Sequence, residues 1–453
     1  RRRMAAAAEA PEADAARPAA AADVGRRVIV VTGPTASGKT ALSVELARRL
    51  GGEIVSADSV QVYERLDVGS AKATAEERGG VPHWLLDVRS PLGEDFSAGE
   101  FFDEARAATR DILDRGKPVI VAGGTGMYLR WYLHGKPATP QSTPETAAAA
   151  RDAIAAACAS AGADADEEAK WDAAVAALCR AGDATSGARL ARNDYYRLSR
   201  AMEIVMATGG VPKGDFRAPD KLSAGNALPA GDSHASDGMV NASAALAAAL
   251  DCEVHSFAVS VRPRQELYRG IDARVEDMVS GGLLEEAAWL LDAGATAGSC
   301  CGARAIGYKE AIELLDSSGP ESGEDAGVTA DRVRACVTDI QRATRNFAKR
   351  QLTWLRNDAT FEWLDAATGT AAMADAIEAR VLHGKPLYGD EGSDASGDVW
   401  NGALTKEEER AMRRYTGELS AFAEGSGKAE AAARWVDEWA RGRAARERVA
   451  AHE

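Results

Sequence analysis

The residues from Gly33 to Thr40 read Gly-Pro-Thr-Ala-Ser-Gly-Lys-Thr. This is a G-x-x-x-x-G-K-[ST] pattern, whose glycines let backbone N–H groups wrap closely around phosphate oxygens. Gly33, Thr35, Ala36, Ser37, Gly38, Lys39 and Thr40 are therefore candidate diphosphate-binding residues, with Lys39 adding a point charge. The Thr40 hydroxyl is the candidate ligand for Mg2+. The pattern becomes specific where a buried strand leads in and a helix leads out. Val28-Ile29-Val30-Val31 precedes it and a helical pattern at 39–50 follows. A hydrolytic P-loop protein also needs an apolar strand ending in Asp to hold the metal. Here the best candidate, Val119-Ile120-Val121-Ala122, runs instead into Gly123-Gly124-Thr125-Gly126. Motor or switch chemistry is disfavoured on that ground, while a small-molecule kinase stays open. A carboxylate, Asp58, follows the short strand Glu53-Ile54-Val55-Ser56. Open parallel sheets bind ligands at the carboxyl ends of their strands. A carboxylate there can bind a metal, accept a proton or cap the next helix.

The elements that must position these groups follow from periodicity. From Arg27 to about Lys136, strands at 28–32, 53–56 and 118–122 alternate with helical patterns at 39–50 and 99–115. That alternation predicts an α/β fold, a P-loop NTPase-like parallel sheet flanked by helices. Residues 144–211 lack strand signals and form a mainly helical insertion; 212–250 are Gly/Ala/Ser/Asp-rich and predict a loop. A strand at 256–261 and helices to about 357 complete a core of 27–143 and 251–365. Residues 366–453 predict an appendage, with a helical pattern at 405–450. Residues 1–26 are almost entirely Ala, Arg, Glu, Asp and Pro, and predict a disordered leader. With 453 residues, 46% hydrophobic and 27% charged, the composition is that of a soluble globular protein. No run of about 18 apolar residues suggests a membrane span. Six cysteines without C-x-x-C spacing predict no structural metal. A net charge of −15 opposes indiscriminate nucleic-acid binding but says little about a local basic groove.

Several ordered blocks carry a resemblance: G-P-T-A-S-G-K-T, S-A-D-S-V-Q-V-Y, D-V-G-S-A-K, V-P-H-W-L-L-D-V and G-G-T-G-M-Y-L. It continues through Arg192–Glu203, Arg304–Lys309 and Arg345–Trp354, covering roughly 27–365. The chain resembles the tRNA dimethylallyltransferase (tRNA isopentenyltransferase) family, in phrasing closest to the bacterial-like branch of plants and algae. The resemblance implies transfer of a dimethylallyl group from dimethylallyl diphosphate to N6 of the adenine beside the anticodon, in tRNAs reading codons that start with U. It implies catalytic roles for Asp58 as general base, Thr125 near the reacting adenine, and Arg264 on the diphosphate. It implies tRNA contact by Asp58, Ser59, Val60, Gln61, Arg197, Arg200, Arg304, Lys309, Arg345, Lys349 and Arg350. The partners are then the tRNA anticodon stem-loop and dimethylallyl diphosphate, with Mg2+ as cofactor and a monomer as the working unit. The compartment expected is the cytoplasm, or a plastid or mitochondrion if the leader belongs to a transit peptide.

The residues themselves support an RNA face. Arg342, Arg345, Lys349 and Arg356 share one side of a helix, with Arg350 near it. Alone, such a stripe is more often a solvated face. Tyr63, Tyr308 and Trp354 can stack on bases, although aromatics at such spacing are more often core. Three rivals remain: an adenylate isopentenyltransferase acting on free adenine nucleotides, the small-molecule kinase, and an inactive RNA-binding module, which the presence of Lys39, Thr40, Asp58, Thr125 and Arg264 disfavours. The insertion at 144–208 and the basic helix at 342–356 argue against the first.

Overall fold

A computed structural model describes residues 25–162, 164–216, 244–317, 327–387 and 404–450. Six strands make one parallel sheet: β1 (Arg27–Thr32), β2 (Glu53–Ser56), β3 (His83–Trp84), β4 (Val119–Ala122), β5 (Glu253–Ser260) and β6 (Glu362–Asp365). Their order is β3-β2-β4-β1-β5-β6. The central strand β1 pairs with β4 from Val28–Val119 to Val31–Ala122, and with β5 from Arg27–Glu253 to Thr32–Ala258. An all-parallel sheet is covered on both faces, which explains the unbroken apolar runs in β1 and β4.

Successive residues of each strand serve opposite layers. Ile29, Val31, Ile120 and Val259 pack on Leu42 and Leu46 of α1 (Lys39–Leu50) and on Met373, Ile377 and Val381. Val28, Val30, Val119 and Val121 face the larger layer. After the short α2 (Ala75–Arg78), that layer contains Phe101 and Ile112 of α3 (Ala98–Asp114) and Leu129 and Leu133 of α4 (Gly126–His134). The insertion has a core of its own. Its helices α5 (Pro144–Ser160), α6 (Glu167–Ala181), α7 (Ala184–Gly187) and α8 (Tyr195–Thr208) gather around Ile154, Trp171, Leu178, Leu198 and Met202. Among the described residues no helix is long and apolar enough to cross a membrane.

Three expectations need correction. The end of the expected loop, Ala244–Leu250, is a helix, because alanine carries the highest helix propensity and Leu246 and Leu250 are buried one turn apart. Residues 217–243 of that loop lie outside the described residues, as does the leader to residue 24. The strands β3 and β6 escape the pattern search: one has two residues, and the other exists through its pairing with β5 from Phe257–Glu362 to Ser260–Asp365. The expected appendage is largely part of the fold. Its helix Thr370–His383 covers one face of the sheet beside α1, since Met373, Ala374, Ile377 and Val381 form one apolar stripe.

The last described segment, 404–450, is not one helix but two, Lys406–Arg413 and Lys428–Ala450, joined by an extended strap. The strap crosses the helix Arg264–Ser280 and the long helix Ala330–Arg356. Glu276, buried on the first of these, accepts backbone N–H bonds from Ser420 (3.0 Å), Ala421 (2.5 Å) and Phe422 (2.9 Å). A carboxylate buried among three N–H donors is satisfied, so its burial is tolerated. Arg334 donates to Phe422 O and to Glu430, and Asp437 accepts from Val328 N (2.7 Å). The Phe422 ring enters the main core. Truncating it, Phe422→Ala, is expected to cost about 3–5 kcal/mol in chemical denaturation. A change under about 1 kcal/mol would mean that the strap only rests on the core.

Candidate active site

The loop after β1 is built for a ligand that brings negative charge. Gly38 sits in the left-handed region (φ 83°) as α1 begins, and that helix has neither a side-chain cap nor an acidic residue in its first turn. Its first N–H groups, and the positive end of its dipole, therefore face the loop. A side chain at Gly33 would strike Val259 O and Ser37 Oγ, at 2.7 and 2.9 Å from an added Cβ. Ser37 Oγ is buried with no hydrogen-bond partner among the described residues. A buried hydroxyl left unpaired is costly unless a ligand satisfies it. The Lys39 ammonium donates to Pro34 O at 2.6 Å. Burial lowers its pKa from 10.5 to about 7, helped by the nearby charge of Arg274 and opposed by Asp58.

Opposite the loop, Asp58 closes a turn rather than a helix: one oxygen, Oδ1, accepts from Val60 N (2.9 Å) and Gln61 N (3.3 Å). The helix-cap expectation thus becomes a turn closed by Oδ1, because no helix follows at this point. The neighbouring turn, Gly123–Thr125, leaves β4 and packs against the same segment. Thr125 Oγ1 accepts from Ser59 N (3.1 Å), and Thr125 N donates to Ala57 O (3.3 Å). Gly123 is obligatory there, because an added Cβ would lie 2.2 Å from Ala57 O. Gln61 anchors the far side of the turn by donating to Ser70 O at 3.2 Å.

One side chain joins the two halves. Gln351 of the long helix accepts from Thr35 N and donates to Gly124 O, both at 2.9 Å. One turn later Trp354 covers Gly126, where any side chain would collide with its indole. Sequence reading assigns no role to Gln351, although an amide on the inward face of a basic helix is a usable signal.

Arg274 is the second residue it misses. It lies on the stripe Leu267, Ile271, Arg274, Met278 of the helix Arg264–Ser280, where an arginine on an apolar face needs an anionic counterpart. Burial lowers its pKa while the charges of Asp58 and Glu77 oppose that fall. Its charge also reaches Lys39. Asp58, Lys39 and Arg274 therefore share one electrostatic neighbourhood. The sequence expectation was for Arg264. That side chain is buried at the start of the helix, where it interacts with Tyr268 and feels the charges of Arg356 and Glu408.

The expected RNA-contacting residues separate into two groups. Lys349 and Arg350 are exposed and line a shallow depression with Asn346, Thr353, Trp354 and Asn357, which ends beside the Gly126 turn. Arg345 turns inward instead. It pairs with buried Asp272 and lies over the Tyr415 ring, so it ties helices together. Arg200 is likewise held by Glu203 and Pro140 O. Arg197 is exposed beside Asp194, Arg304 pairs with Asp95, and Lys309 faces Glu313 at 3.7 Å. Tyr63 and Tyr308 are core residues; their hydroxyls bond Phe96 N and Glu286. Cys300 and Cys301 are free thiols, the first buried.

The family model described as IPP transferase matches residues 61–358, well over half of the chain. The chain belongs to the IPP transferase family. The match contains Thr125, Arg274 and Gln351 and begins just after Asp58. This IPP transferase is 45% identical over 349 residues to tRNA dimethylallyltransferase 9 of Arabidopsis thaliana, covering 75% of this chain and 72% of that one. It is 41% identical over 357 residues to a tRNA dimethylallyltransferase of Anaeromyxobacter dehalogenans strain 2CP-C, covering 78% of this chain and 100% of the relative. A solved eukaryotic dimethylallyltransferase acting on tRNA shares the fold, with a TM-score of 0.57 at 23% identity, over 82% of this chain and 83% of that one.

Two outcomes follow from this geometry. Gln351→Leu leaves Thr35 N–H and Gly124 C=O unpaired and is expected to cost about 1–3 kcal/mol in chemical denaturation, with weaker binding of inorganic diphosphate. Lys39→Met in ligand-free buffer should be more stable than the parent below about pH 7. There the parent carries the full cost of a buried ammonium. The gain should fade as pH rises from about 7 towards 10.5, where both states become neutral. Denaturation across that range tests the sign; a pH-independent difference would contradict it.

Proposed function

We propose that this IPP transferase transfers a dimethylallyl group from dimethylallyl diphosphate to N6 of the adenine beside the anticodon in tRNA. The observation that carries the reading is the position of Asp58, between a cationic phosphate cradle and a turn that opens onto the Lys349–Arg350 depression. The named relatives support the acceptor, being tRNA dimethylallyltransferases.

N6 is a poor nucleophile because its lone pair is delocalised into the purine. As it attacks the allylic carbon, a new N–C bond forms, the C–O bond to diphosphate breaks, and the N6 proton passes to Asp58 Oδ2. The departing diphosphate gains charge, which Lys39, Arg274, the Ser37 hydroxyl and the α1 N–H groups stabilise. Thr125 keeps Ser59 and the Asp58 turn in register with β4. A phosphate holder suffices here, so the missing Asp at the end of β4 is no defect.

The residues present fit a magnesium ion bound mainly through diphosphate oxygens and water. Thr40, exposed at the start of α1, is the protein group that would hold it, and among the described residues no cluster of three His, Cys, Asp or Glu offers an alternative. When bound, the ion neutralises leaving-group charge. The acceptor base must leave its stack to reach Asp58, as enzymes acting on a base require. The specific codon preference, the monomeric state and a role for Arg264 on the diphosphate remain parts of this proposal.

Labelled dimethylallyl diphosphate offered with unmodified tRNA or with adenine nucleotides distinguishes acceptors. Label on tRNA is expected; label only on nucleotides would replace the acceptor class. Asp58→Ala should slow transfer by about 100-fold or more while tRNA affinity is kept within a few-fold. Normal turnover in that variant would remove Asp58 from the proton transfer.

A further inference from the structure

The helix Lys406–Arg413 lies beyond residue 358, where the family match ends. Its two faces differ sharply. Glu408, Ala411 and Met412 are half-buried against Pro263, Arg264 and Gln265 at the start of the helix Arg264–Ser280. The opposite face carries Lys406, Arg410 and Arg413, with Arg414 just past its end, at spacings of 4, 3 and 1. At 100° per residue these four cations fall within one solvent-facing sector, with Glu407 and Glu409 at its edges. All four are exposed, and among the described residues no carboxylate pairs with any of them. Elsewhere on this acidic chain Arg197, Arg304 and Arg342 are each neutralised by a neighbouring carboxylate.

The placement of this face is set at both ends. At one end Arg262 bonds Glu408 (2.9 Å), and Arg264 feels the charges of both Glu408 and Arg356. Two turns along the same helix, Asp272 accepts from Tyr415 Oη (2.7 Å) and pairs with Arg345, while Tyr268 stacks edge-on against Tyr415 at 5.4 Å. The segment 408–415 and the long helix therefore both meet the helix Arg264–Ser280, at its start through Glu408 and two turns on through Tyr415 and Arg345. Exposed cations thus stand in two rows, on two elements that share one supporting helix. One is Lys349, Arg350 and Arg356; the other is Lys406, Arg410, Arg413 and Arg414.

We propose that the second row is a phosphate-contacting rail for the RNA acceptor, supplied by the C-terminal segment and additional to the family core. The proposal rests on the tRNA reading above. Two cationic rows carried on one supporting helix suit a polyanion with phosphates along two edges, as an RNA stem presents. The contacts carry affinity and orientation, not base identity.

The test uses the full chain and unmodified tRNA, with affinity measured across a series of salt concentrations. Replacing Lys406, Arg410, Arg413 and Arg414 together by Gln should weaken binding about 10-fold or more at low salt. The slope of log affinity against log salt should fall by about 2–4, with the melting temperature kept. Arg410→Lys, Arg413→Lys and Arg414→Lys combined should retain affinity and slope. Unchanged affinity and slope in the Gln variant overturn the rail, and so does an equal loss in the Lys variant, which would show that charge is not the cause. If the parent chain itself neither binds nor labels tRNA, the functional reading falls and the rail with it. A parent that labels tRNA normally beside an indifferent Gln variant removes the rail alone.

Discussion

Among the described residues, the carboxamide of Gln351 bonds to both sides of the site. It takes the N–H of Thr35 in the phosphate loop and gives its own to Gly124 in the turn after β4. An amide accepts on one atom and donates from the other, which an ionised carboxylate or an alkyl chain cannot do. The spacing of loop, turn and Asp58 depends on this bridge. Around it the glycines are steric requirements: Gly33 against Val259 O, Gly123 against Ala57 O, and Gly126 against the Trp354 indole. The long helix thus works on two faces. Its inner face holds the site together, and its outer face presents Lys349, Arg350 and Thr353 to whatever approaches.

Charge is used in two distinct ways in this acidic chain. Buried carboxylates serve architecture, each fully engaged. Glu276 collects three strap amides, Asp272 holds Arg345 and Tyr415, and Glu53 holds Arg115, Lys117 and the Trp84 indole, which depress its pKa to about 2. Two half-buried cations, Lys39 and Arg274, gather beside Asp58 instead. Burial and the charge of Arg274 hold the Lys39 ammonium below its usual pKa, and Asp58 opposes the fall at both cations. A net charge of −15 is therefore no guide to the site, whose local potential is positive.

Much of this was legible in the sequence. The phosphate loop, the strands at 28–32, 53–56 and 118–122, Asp58 and the Gly-Gly-Thr turn are local patterns, and each lies where expected. Arg345 was misread, because a helical wheel gives direction about an axis but not which neighbour waits there; Asp272 and Tyr415 do. Arg274 and Gln351 were passed over for the same reason. Their partners lie far away in the chain, as with Gln351 and Thr35, where |i−j| is 316. The appendage was misjudged because Ala-rich helices carry a weak apolar signal until Met373, Ile377 and Val381 meet α1.

What the sequence determined by itself is what short-range chemistry dictates: a glycine-framed loop after an apolar strand, a carboxylate at a strand end, and a parallel alternation of strand and helix. Those follow from sterics and periodicity within a few residues. The tertiary structure alone decided which cations reach Asp58, which basic residues face inward, and that the C-terminal strap grips the two helices behind the site. Those depend on contacts between distant segments, and their energies exist only once burial has removed the competing water.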